Sequence, residues 1–171
     1  YGDVVPMSAT NTYHHTQVVW DRAFKITPDL PELQSRMTVN VEINDSCNAF
    51  YNGRSINFFK DSDECNNTGR LADVVYHEYG HHYHHSLVVT GITDGSIGEG
   101  SGDYLSATIT GEAYMAPGFF KNGAGIRDLE PDRVYPDDLT GEVHADGLIW
   151  GGAMWDVRKS LIAELGEEAG V

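Results

Sequence analysis

The segment Asp73-Val74-Val75-Tyr76-His77-Glu78-Tyr79-Gly80-His81 leaves the chain little choice of local structure. Two histidines four residues apart share a face when the segment is a helix, and both imidazoles can then turn toward one cation. Glu78, one position after the first histidine, can reach a water beside that cation without being a ligand itself. The pattern therefore reads as a metal-binding helix, expected from about Leu71 to Val88, with Glu78 placed to act as a general base.

Two histidines do not complete a catalytic zinc site, which takes three protein ligands and leaves a position open. The arrangement HExxHxxGxxH is ruled out, because its third histidine position is Leu87 and its glycine position is His84. His84 shares a face with His81 but lies roughly 10 Å along the helix axis from His77, and is read as a packing residue or a neighbour of the ligands. His82 is expected to face away and His85 to lie near the surface. Gly98-Glu99-Gly100-Ser101-Gly102-Asp103 offers a better third ligand in Glu99, on a second helix expected over Glu99 to Thr110. Asp103, one turn on, can accept the second ring N–H of a ligand histidine. An acid-rich helix start stabilised by the helix dipole would look similar on its own; the upstream histidines favour the ligand.

Around these helices the pattern is α+β. A helix is expected from about Thr10 to Phe24, capped by Thr10 or Asn11, after a loose arm over residues 1–9; His14 and His15 on it read as surface or packing residues. Met37 to Ile43 alternates apolar and polar residues, as a half-buried strand does. Asn48 to Tyr51 and Ser55 to Phe59 are expected to form a hairpin about Asn52-Gly53. Cys47 and Cys65 are the only cysteines. A disulfide between them would tie the polar loop Asp61–Gly69 to the start of the hairpin and imply an oxidising compartment; the alternative is two buried thiols. Ala113 to Asp138 is expected to be irregular. A last helix is expected from His144 to Leu165, with Leu148, Ile149, Trp155, Leu161, Ile162 and Leu165 in the core.

The chain reads as a single domain over residues 1–171, starting at Tyr1 like a mature or excised piece. It carries 11 basic against 26 acidic side chains, a formal net charge of −15. That balance argues against nucleic acid and against an anionic membrane surface as partners. No apolar run is long enough to span a bilayer. A monomer is expected.

Taken together, these segments resemble the gluzincin metallopeptidases, in the thermolysin-like branch that includes fungalysins. Asp73 to Glu78 is similar to the family's approach to its first histidine, and the Glu99/Asp103 pair to its third-ligand helix. Asn48-Ala49-Phe50-Tyr51-Asn52-Gly53 resembles the edge strand where an asparagine side chain and the next carbonyl bind substrate backbone. Ile126-Arg127-Asp128 with Pro131 resembles the segment whose arginine contacts the substrate carbonyl. Val143-His144 with Gly147 resembles the segment whose histidine stabilises the tetrahedral intermediate.

The resemblance implies a zincin-like α+β catalytic domain, whole or as a piece of a longer chain. In it a small mixed sheet sets its edge strand beside the metal helix, and a mainly helical half follows. It implies Zn2+ on His77, His81 and Glu99, with Asp103 behind a ligand histidine and Glu78 as general base. Arg127 and His144 would donate to the oxyanion, and Asn48 and the Ala49 carbonyl would align the substrate. The implied activity is that of a secreted endopeptidase acting on peptides or proteins. Calcium is a further candidate through Asp128, Glu130, Asp132, Asp137 and Asp138, against the plain reading of a solvated acidic loop. The chain departs from the family at Gly98, Gly102 and Leu139, where an asparagine, a serine and an acid are usual; Asp138 or Glu142 could partner His144 instead. The tyrosine that usually helps polarise the carbonyl has no clear match. Two other classes stay open: a non-hydrolytic metal-binding relative serving as a binding module, and an aminopeptidase. The latter needs an acidic anchor that the Asn48 segment lacks.

Overall fold

The computed structural model describes residues 5–88 and 94–166. Helix α1 (Met7–Ile26) starts about a turn before the apolar pattern predicts, and neither Thr10 nor Asn11 caps it. Its first turns are buried through Ser8 and Thr12, small polar residues that give no hydrophobic signal. Thr12 Oγ1 donates to the Ser8 carbonyl at 2.8 Å, and Asn11 donates instead to the Gly69 carbonyl at 3.0 Å. Further along, Val19 and Ala23 pack with Leu33, Tyr76, Tyr79 and Leu105.

Strands β1 (Thr38–Ile43), β2 (Ala49–Tyr51) and β3 (Ser55–Phe59) form one sheet in the order β1-β3-β2, with β1 parallel and β2 antiparallel to β3. β3 is central and buried along its whole length, so its Asn57 must be satisfied internally. Asn57 Nδ2 donates to the Phe50 carbonyl at 3.0 Å, and its Oδ1 accepts from Asn40 Nδ2 at 2.8 Å. The expected hairpin turn is present. Asn52 Oδ1 accepts from the backbone N–H groups of Arg54 and Ser55, and Gly53 takes a φ of +88°, a conformation costly for other residues. β2 remains an edge strand, packed beside α2. A Cys47–Cys65 disulfide, with Cα atoms 5.2 Å apart, fastens the start of β2 to the loop after β3.

Helix α2 (Ala72–Leu87) matches its expected span closely. Val74 through Gly80 are all buried, because the sheet, α1 and α3 cover different sides of it. Helix α3 (Gly95–Thr110) begins a turn earlier than expected, where Asp94 Oδ1 accepts from the N–H groups of Ser96 and Ile97. The glycine-containing stretch Thr90 to Gly98, which the sequence predicts to be a loop, gives up its end to α3 from Gly95 onward, and residues 89–93 lie outside the described ones. Glu99 consequently stands in the second turn of α3, away from the first-turn N–H groups that would stabilise an acid at a helix start.

Within the stretch expected to be irregular, β4 (Tyr114–Met115) and β5 (Arg127–Asp128) pair antiparallel. Helix α4 (Val143–Leu165) buries Leu148 and Trp155 with Ala107, Ala113 and Leu129. Its far end is not core: Leu161 and Leu165 are 41% and 56% exposed, beyond the cluster that ends at Trp155, while α3 meets α4 nearer its start, at Gly147 and Gly151. Among the described residues no helix is long and apolar enough to cross a membrane.

Helices α2, α3 and α4 touch through backbone. A Cβ on Gly80 would sit 2.8 Å from the Gly102 Cα, and a Cβ on Gly100 only 2.2 Å from the Gly147 carbonyl oxygen. Neither contact can relax by turning a side chain. Gly100→Ala is expected to destabilise the chain by about 2 kcal/mol, a fall of roughly 5 °C in Tm for a protein of this size, measurable by calorimetry.

Candidate functional site

Three side chains from two helices converge. His77 and His81 project from α2 toward Glu99 on α3. His77 Nε2 lies 3.1 Å from Glu99 Oε2, and His81 Nε2 lies 3.5 Å from Glu99 Oε1. The donor atoms of all three residues fall within 4.8 Å of one another. Ligand atoms around one tetrahedral ion at about 2.0–2.1 Å would be about 3.3 Å apart, so these spacings suit a single small cation. Glu99 Oε2 and Glu78 Oε2 are both buried without a hydrogen-bond partner. Carboxylate oxygens in that condition are costly unless a cation or water completes them. The residues present therefore fit a metal ion.

Behind the trio, Asp103 is fully buried. Its Oδ1 approaches His77 Nδ1 to 2.8 Å, close in distance although the ring N–H is poorly aimed for a hydrogen bond. The same carboxylate accepts two hydrogen bonds from Arg127, from Nε at 2.6 Å and from Nη2 at 2.7 Å. Arg127 is thus held by a bidentate buried pair, not a surface one. Gly102 is needed here, since a Cβ on it would press to 2.9 Å from His77 Nδ1. His81 lacks the partner that His77 has: a side chain at Gly98 would begin 3.9 Å from its Nδ1, and there is none.

His144, from the first turn of α4, closes the opposite side with Nε2 at 3.4 Å from Glu99 Oε2. Of the two acids considered as its partner, Glu142 is the one that serves. Glu142 Oε1 lies 2.6 Å from His144 Nδ1, while the same carboxylate caps α4 through the N–H groups of His144 and Ala145. Asp138 accepts the Val134 N–H instead. The five acids considered for calcium do not gather either. Asp128 accepts the Glu130 N–H, and Glu130 is taken by Trp155 and Lys159. Among the described residues the one cluster of three or more candidate metal ligands is His77, His81 and Glu99.

An open cleft of about 690 Å³ exposes this group, and Asn48, Ala49, His77, Glu78, His81, Glu99, Arg127 and His144 all line it. Asp103 lies outside it, behind His77. Asn48 is exposed and its own carbonyl accepts from Thr68 Oγ1 at 3.0 Å. His84 and His85 border the cleft without joining the trio.

Comparison with protein-family models and with curated protein sequences finds no match. Among solved structures, the precursor of protealysin, a metalloproteinase from Serratia proteamaculans, superposes on 95% of this chain with a TM-score of 0.78 at 17% sequence identity. The fold is zincin-like. This chain spans 62% of the length of that neighbour. The expected layout of a small mixed sheet beside the metal helix, followed by a mainly helical half, is that of the zincin-like fold seen here.

Sequence reasoning missed part of the zincin-like cleft. Met115, Phe119, Phe120 and Ile126 add an apolar part to its lining, and Phe119 and Ile126 pack in one cluster with Ala49 and Tyr51 of β2. Phe120 reaches it because it pairs across with Cys65, a contact between distant segments that no local pattern announces. The adjacent phenylalanines in a Gly- and Pro-rich stretch were the available signal.

Burial disfavours a charged imidazole at His77, but the Asp103 carboxylate and then Glu99 outweigh it and raise its pKa to about 10. Burial lowers His81 to about 3, helped by His77. Burial raises Glu78 to about 7 against the pull of His77. Asp103, which burial alone would raise, is held far below the usual carboxylate range by His77 and Arg127. For Glu78 and His77 the folded chain holds protons that the unfolded chain releases, at pH 4.5–7 and 6.5–10 respectively; the contribution of each falls as pH rises through its window. For Asp103 the sign is opposite, so its contribution is present above about pH 4 and lost below. His81 has the same sign as Asp103, because burial depresses it: its contribution grows from about pH 3 to 6.5 and offsets the Glu78 fall there. Chelator-treated protein is therefore expected to hold its highest Tm on a plateau near pH 4.5–6.5 and to fall toward pH 9 in thermal scans.

Proposed function

We propose that this chain is a zinc-dependent endopeptidase of the gluzincin type, active outside the cytoplasm. The observation that carries the reading is a buried carboxylate, Glu78, placed on a cleft beside a His-His-Glu trio and beneath the free edge of β2. An extended peptide can add to such an edge through backbone hydrogen bonds, with Asn48 and the Ala49 carbonyl at the start of the strand. The Cys47–Cys65 disulfide supports an oxidising compartment.

Zinc on His77, His81 and Glu99 would supply Lewis acidity toward the scissile carbonyl and the attacking water. Glu78 takes a proton from that water and returns it to the leaving amine nitrogen. Burial raises its pKa above the usual carboxylate range, the direction that suits a group that is base first and acid later. His144 donates from Nε2 to the developing oxyanion while Glu142 fixes its other ring nitrogen. Arg127, anchored by Asp103, adds a positive charge at the cleft wall without being free to swing into the trio. Both groups are fixed before substrate arrives, and that preorganisation makes them effective.

Glu78→Gln is expected to retain stoichiometric zinc by elemental analysis and to lose peptide hydrolysis by about 10²–10⁴-fold. Chelation should abolish activity in the parent protein and added zinc restore it. Retained cleavage in Glu78→Gln would refute the assignment.

A further inference from the structure

A second cavity, of about 650 Å³, lies beyond the hairpin end of β2. Its walls come from residues 32–37, which connect α1 to β1; from Tyr51, Gly53 and Arg54 at the hairpin; and from His82, His85 and Ser86 on α2. Tyr51 and His85 line this cavity and the main cleft alike, so the two adjoin across these side chains. The Tyr51 ring stands at the junction, its hydroxyl 3.3 Å from His82 Nδ1 and its ring 6.3 Å from that of His85.

The charge of this cavity runs against that of the chain. Acidic side chains outnumber basic ones 26 to 11, and the described ion pairs engage Arg70, Lys121, Arg127 and Lys159. Arg133 is occupied by two backbone carbonyls. Arg36 and Arg54 belong to none of these pairs, nor do Arg22, Lys25, Lys60 and Arg158, but of these six only Arg36 and Arg54 line the second cavity, where Glu32 is the one acid among the described residues. Two exposed guanidinium groups gathered at one hollow of an acidic chain present planar, bidentate donors for a carboxylate.

The route into the cavity is set by β2. A peptide added to this edge advances about 3.3 Å per residue with side chains alternating. A peptide aligned at Ala49 therefore passes Tyr51 two residues later and meets the arginines at that position or two residues beyond. We propose that the second cavity is an acid-recognising subsite. In it Arg36 and Arg54 bind the side-chain carboxylate of an Asp or Glu two to four residues from the scissile bond, on the side running toward the hairpin. This inference rests on the peptidase reading and extends it to a substrate preference.

Fluorogenic peptides that place Glu or Gln at each position two to four residues on either side of the cleaved bond test it. The expected result is a kcat/KM about fivefold higher for Glu at one such position, on one side only, with the advantage shrinking as salt is raised. The doubly substituted Arg36→Gln/Arg54→Gln chain should bring the Glu/Gln ratio to about one, and Arg54→Glu should turn the preference toward Lys. The parent protein's ratio and its salt dependence decide the question even if a variant folds poorly. Fluorescence anisotropy of the same peptides on the zinc-loaded protein separates the two readings. Tighter binding of Glu peptides without cleavage keeps the subsite and overturns the peptidase. Cleavage of Glu and Gln peptides at equal rates overturns the subsite and keeps the peptidase. Equal binding with no cleavage overturns both.

Discussion

The site depends on how closely three helices can approach. Packed helices ordinarily stand 8–10 Å apart, held off by their side chains. Here α3 is pressed between α2 and α4 with glycine at both contacts: Gly102 against Gly80 on one side, Gly100 against Gly147 and Gly151 on the other. Glu99 sits within this run of glycines. A carboxylate side chain is short, and it spans the gap to His77 and His81 because the backbones are nearly in contact. The same compression brings the start of α4, and so His144, within 3.4 Å of Glu99. Helix propensity is sacrificed along α3 and α4, and tertiary contact more than offsets it.

The second organising element is one buried charge. Asp103 has no exposed surface, and a lone carboxylate there would be prohibitively costly. It is tolerated because His77 and Arg127 approach it from two sides. The arrangement ties α2, α3 and β5 together at a single point. The orientation of His77 and the position of the Arg127 guanidinium at the cleft wall therefore depend on the same carboxylate, so a disturbance at either is felt at the other.

Much of this was legible in the chain because it is local. The spacing of His77 and His81 fixes a helical face, Asn52-Gly53 fixes a turn, and the spacing of Glu99 and Asp103 puts the two carboxylates on adjacent turns. What was hidden is what the fold achieves without apolar signals. The first turns of α1 are buried through Ser8 and Thr12, which look like surface residues. The early start of α3 runs through Gly95, Ser96 and Gly98, poor helix formers held by the Asp94 cap. Glu142 was one of two candidates because its double service, as cap and as histidine partner, requires knowing where α4 begins. The apolar sequence at the end of α4 misled in the other direction, since periodicity marks a face without saying whether anything covers it.

The disulfide has a topological consequence of its own. Cys47 and Cys65 enclose the whole hairpin, β2 and β3 included, together with the loop that follows it. A break in the backbone anywhere between residues 48 and 64 would thus leave two pieces still covalently joined, with the edge strand or its severed partner tethered beside Phe120. The segment that borders the cleft most directly is also the one that could be cut without being lost.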